Sequence, residues 1–109
     1  MAMPMPLPVE KAIQKLGRDL SYARRRRHMS QAMLAERIGT SERTVRRIEA
    51  GDVTISLHYV ARALHVFGEL ERLSMLLDSS QDSIGLLLMD ERLPQRVRIP
   101  KRSKDSGAL

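Results

Sequence analysis

The chain has 109 residues, enough for one compact domain with tails, and 42% of them are apolar, enough for a modest core. Three aromatic residues, no Trp and no Cys leave the core to Leu, Ile, Val, Met and Ala, which points to helices; disulfides and thiolate metal sites are excluded. The net charge of +6 is unevenly spread: residues 92–109 hold six basic side chains (Arg92, Arg96, Arg98, Lys101, Arg102 and Lys104) against Asp105, and everything before them nets only +1. Bulk charge is therefore a weak argument for a nucleic-acid partner, and the placement of individual arginines has to supply one.

No run of 18 apolar residues exists, so no membrane span is expected. Residues 1–8 alternate Met, Leu or Ala with Pro and lack a charged segment followed by an apolar one. They read as a flexible lead-in and not as a signal peptide, which suits a cytoplasmic protein.

A first helix is expected over residues 9–27, where Val9, Ala12, Ile13, Leu16, Leu20 and Ala23 recur at helical spacing. Pro8 suits its first turn, and Gly17 weakens its middle. Ser30 then offers an N-cap, with Met29 and Leu34 spaced as a hydrophobic staple. The spacing predicts a short helix over 31–38, with Leu34, Ala35 and Ile38 inward, ended by Gly39. Ser41 caps a second short helix over 42–50, with Val45 and Ile48 inward, stopped by Gly51. Ser56 caps a fourth helix over 57–67, with Leu57, Val60, Ala61 and Leu64 as its inner face. A fifth runs over about 69–77 on Leu70, Leu73, Leu76 and Leu77. Residues 79–94 form a loop and a short apolar extension at Ile84 to Met89. Residues 95–109 form a basic tail that is extended or flexible, with Val97 to Ile99 a candidate strand.

Only Gly39, Thr40 and Ser41 separate the two short helices, and a link that short permits a sharp crossing. With Val45 and Ile48 buried, the opposite face of the second one presents Glu42, Arg43, Arg46 and Arg47, with Thr44 near its edge. Such a helix fits the major groove of B-DNA, where Arg pairs with guanine and Glu accepts from cytosine. Free N–H groups at helix starts favour phosphate, which puts Gln31 and Ser41 beside the backbone.

The stretch from Ser30 to Gly51 carries S-Q-x-x-L-A-x-x-x-G-x-S-x-x-T-V-x-x-I-E-x-G and closely resembles the Cro/cI-type (XRE) helix-turn-helix family. The likeness covers about residues 10–77 and implies an all-α, five-helix, lambda-repressor-like DNA-binding domain with a short C-terminal extension. It implies base contacts from Ser41, Glu42, Arg43 and Arg47. It implies that Gln31 touches a phosphate and buttresses the reading helix, and that Arg24 pairs with Glu49. Arg25, Arg26, Arg27, Arg46 and Thr44 complete the expected DNA-backbone set. The expected partners are double-stranded DNA and a second copy of the chain, with helix 5 and Ile84 to Met89 as candidate dimer surface. The segment 85–98 is similar to antitoxins of the HipB type, which implies a HipA-like kinase toxin as a further partner.

Plainer readings stand beside these. Arg25 to Arg27 equally suit a solvated helix end, and Glu42 suits the dipole of its own first turn. The Leu86 to Met89 run either covers the domain's core or meets a partner. His28, His58 and His65 read as surface residues, and Asp90 and Glu91 as a solvated turn. No catalytic constellation, metal-ligand spacing or cofactor motif appears.

Overall fold

The computed structural model describes residues 3–78, all helices and turns, with no strand among them. The chain divides into two units, Met1–Leu76 and Leu77–Leu109, and the five helices belong to the first. They are α1 Leu7–Arg26, α2 Gln31–Ile38, α3 Glu42–Glu49, α4 Leu57–Phe67 and α5 Leu70–Ser74. The expectations for the apolar extension, its dimer surface, the antitoxin-like segment and the basic tail lie outside the described residues.

The first helix starts two residues before the expected point, with Pro6 as N-cap and Pro8 in the first turn. Pro6 O accepts from the amides of Val9 and Glu10, so the lead-in is shorter than residues 1–8. Only the later part of the stripe is buried. Leu20 is in the core, whereas Val9 and Leu16 are exposed. Length explains Val9, since at about 1.5 Å per residue a 20-residue helix outreaches eight-residue partners by more than twofold; Leu16, beside the buried Gly17, faces a groove instead.

The α1–α2 corner is closed by Met29 N donating to Arg24 O at 3.2 Å, with His28 at φ +57°. This left-handed residue was not foreseen; His is one of the few side chains that visit that region with any frequency. Ser30 Oγ accepts from Met33 N at 3.0 Å, and Met29 and Leu34 are both buried as the staple requires. Ser41 Oγ likewise accepts from Thr44 N at 3.1 Å. Ser56 stands at the N-cap of α4 but makes no capping hydrogen bond.

The core is Leu20, Met29, Leu34, Ala35, Ile38, Val45, Ile48, Ala63 and Phe67. Two expectations need correction. On α4 the deepest residues are Ala63 and Phe67; Val60, Ala61 and Leu64 are half-buried and Leu57 is exposed. Leu57, Val60 and Leu64 instead line a groove of about 590 Å³ with Leu16, Leu20 and Leu73. The fifth helix is five residues long, shorter than expected, and buries none of its side chains.

Candidate nucleic-acid interface

α3 is amphipathic to an extreme degree, and that fixes its orientation. Val45 is fully buried and Ile48 is 7% exposed, while Glu42, Arg43 and Arg46 on the other side are exposed. A short helix with only two apolar anchors needs further restraint, and α1 supplies it. A Cβ built on Gly17 would lie 2.5 Å from Ile48 O and 2.8 Å from Glu49 O. The last turn of α3 therefore lies against the α1 backbone, at a distance that only glycine allows. Gly17 is thus a contact point that the sequence presented merely as a weak spot in a helix.

The same turn is tied by charge. Arg24 Nε and Nη2 donate to the two carboxylate oxygens of Glu49 at 2.6 and 3.1 Å, and Nη1 donates to Met29 O at 2.7 Å. Both side chains are about nine-tenths buried. Gln31 Nε2 donates to Glu49 Oε1 at 2.9 Å, so the start of α2 is joined to the end of α3. The two carboxylate oxygens of Glu49 thus accept three bonds from α1 and α2. Among the described buried side-chain N and O atoms none lacks a hydrogen-bond partner. A buried pair this well satisfied costs as much desolvation as it returns in attraction, and its yield is geometric: it sets where α3 stands.

The residues expected at base edges differ in their surroundings. Ser41 is exposed, and its hydroxyl is shared between the Thr44 amide and the Thr44 hydroxyl at 3.1 Å. Glu42 lies 3.5 Å from Arg46 in an exposed i,i+4 pair, which is weak in water and easily exchanged for phosphate. Arg43 is exposed and makes no hydrogen bond or ion pair among the described residues.

Arg47 is folded back on the loop after α3. Its Nε donates to Asp52 Oδ2 at 2.7 Å and its Nη2 to Thr54 Oγ1 at 2.9 Å. The Thr54 amide and hydroxyl donate to Asp52 Oδ1 at 2.8 and 2.6 Å. These Thr54 bonds, with the Arg47 guanidinium, hold the Asp52 carboxyl at about 2, so it is ionised at neutral pH. The loop can return there because Gly51 takes φ +84° and Asp52 N reaches Arg47 O at 3.0 Å. The sequence reading missed Asp52 and Thr54. An acid and a hydroxyl just after the glycine that ends an arginine-bearing helix were the available signal.

The arginine run ending α1 serves several purposes. Arg24 belongs to the buried pair. Arg25 bonds Ser21 O and lies 4.8 Å from the Tyr22 ring centroid, with its side chain exposed. Arg26 is exposed. Arg27 donates to Ala23 O and to Phe67 O at 2.9 and 3.1 Å and covers the Phe67 ring. Its guanidinium closes the end of α4, so Arg27 is a structural tie, whatever it also offers to phosphate.

Among the described residues no helix is long and apolar enough to cross a membrane. A family model described as helix-turn-helix matches residues 20–84, well over half of the chain. Neither the curated proteins nor the solved structures give a significant match.

Proposed function

The chain belongs to the Cro/cI-type (XRE) helix-turn-helix family and is a DNA-binding transcriptional regulator, and from that premise we propose that it is a homodimeric repressor acting by occupying a palindromic operator in the cytoplasm. The observation that carries this reading is the outward face of α3: a bare Arg43 beside Glu42 and Arg46, on a helix whose other side is sunk in the core. Arg43 and Arg47 are the guanine readers, and Ser41 and Glu42 reach neighbouring bases. Gln31, Thr44, Arg46, Arg25 and Arg26 meet the phosphates, with a lesser part for Arg27.

One eight-residue helix spans only a few base pairs, which is why a second copy is invoked. Two-fold pairing doubles the contacts and demands an inverted repeat with half-site centres about 10 bp apart. Sequencing the fragments that the purified chain retains from a pool of randomised duplexes tests this. An inverted repeat of that spacing is expected. Retention without any enriched sequence would remove base reading, and a single unpaired half-site would remove the dimer. The antitoxin reading is favoured by the 85–98 segment alone; co-purification of a HipA-like kinase with the chain is its test.

A further inference from the structure

Arginine is a flexible reader. Its guanidinium carries five N–H donors, and an unrestrained side chain offers them in many directions, including to a phosphate or to the wrong base. Arg47 is not unrestrained. Asp52 Oδ2 accepts from Nε, Thr54 Oγ1 accepts from Nη2, and the Thr54 hydroxyl in turn donates a hydrogen bond to Asp52 Oδ1. The ring is closed on itself and anchored to the backbone through the Thr54 amide. It consumes the side edge of the guanidinium. Among the described residues the other three hydrogens, two on Nη1 and one on Nη2, are left over; one on each nitrogen forms the end edge, and two parallel N–H groups are what the O6 and N7 atoms of guanine accept.

We propose that Asp52 is a specificity-determining positioning residue: together with Thr54 it fixes Arg47 so that only the end edge of the guanidinium faces the major groove, which makes Arg47 a guanine reader and keeps it from phosphates. This rests on the assignment of Arg47 to a base edge made above. The sign of the charge argues the same way. A carboxylate beside a polyanion opposes binding in general, so an acid beside a DNA-reading arginine lowers affinity for every duplex alike, a loss that a gain in selectivity has to offset. A fixed fork returns it by cutting the conformational cost of the correct contact and leaving wrong contacts unmade.

The test is selection from randomised duplexes by the full chain and by its Asp52→Ala, Asp52→Asn, Thr54→Val and Arg47→Ala variants, with binding to a random-sequence duplex measured in parallel. Arg47→Ala should erase a guanine preference at one position of each half-site. Asp52→Ala should lower guanine-over-adenine preference at that same position about tenfold, leave the other positions as they were, and tighten binding to random duplex. Asp52→Asn and Thr54→Val, which each remove part of the ring, should fall between. A loop that merely stabilised the fold would move all positions together. If Arg47→Ala erases the preference but Asp52→Ala does not, the inference is overturned and the base assignment survives. If Asp52→Ala sharpens the preference, Asp52 is a competitor of DNA for Arg47, and the inference is overturned. If Arg47→Ala changes nothing, both fall.

Discussion

Gly17 occupies the middle of a helix where propensity alone favours alanine by about 1 kcal/mol. The α3 carbonyls opposite decide otherwise. A methyl group 2.5 Å from Ile48 O has to push backbone, since no flexible side chain stands there to yield, and overpacking of this kind costs about 1–3 kcal/mol. Gly17→Ala is therefore expected to lower stability by up to about 2 kcal/mol in denaturant unfolding, the overpacking less the propensity gain; a net gain would show that the two backbones are further apart. Glu49 poses the complementary case. Glu49→Ala strands the Arg24 guanidinium in the interior and is expected to cost about 3–5 kcal/mol. Replacing both partners by Met and Leu leaves no stranded charge, so the double variant should be more stable than Glu49→Ala alone. Thermal melts of the three proteins decide it. Val45 and Ile48 were readable from sequence because burial follows helical spacing. The Gly17 contact was not, because it depends on an approach between segments far apart in the chain. The Arg24–Glu49 pair and a buttress from Gln31 follow from family resemblance, and no periodicity in the residues points to them.

Helix ends show how far local chemistry carries. The limits of α2 and α4 agree with the serines and glycines that flank them, and α3 differs by one residue. Yet a serine at an N-cap is only a capability. Ser30 Oγ holds the Met33 amide, while the Ser56 side chain holds none of the first-turn amides of α4. Ser30→Ala is thus expected to cost about 1 kcal/mol and Ser56→Ala only a few tenths. Equal losses, by the midpoint of chemical unfolding, would put a capping bond at Ser56 in solution. The α4 face differs from the one its sequence suggests for a related reason. Its apolar residues recur at the right period, but a helix with Val60, Ala63, Leu64 and Phe67 has a stripe wide enough to be rotated either way. Tertiary partners choose the angle: Ala63 and Phe67 go to the core, Arg62 reaches over to Ile38 O at 2.9 Å, and Leu57 is turned to the groove. Leucines at helical spacing continue past Ser74 and suggest a longer fifth helix, while the helical backbone ends there.

For the whole molecule the question is which cations meet DNA without reading it. The net charge lies almost wholly in residues 92–109, whereas the core runs from Leu20 to Phe67. Removing residues 92–109 should therefore leave the far-UV helical signal of the first unit in place. It should weaken all duplexes by one common factor and reduce the slope of log affinity against log salt by about 0.9 for each phosphate those six cations neutralise. Arg25 and Arg26, exposed at the end of α1, should behave alike on a smaller scale when both are changed to Ala, with a slope reduction of up to about 2. Arg27 does not belong with them. Its guanidinium is committed to Ala23 O, Phe67 O and the Phe67 ring, so Arg27→Ala should appear chiefly as lost stability. Salt titrations of operator and random duplex separate these cases, because a cation that only neutralises phosphate shifts both lines equally. If truncation at residue 91 altered which sequences are selected, the tail would be reading bases, and the division of labour between a specific α3 and a non-specific C-terminal charge would fail.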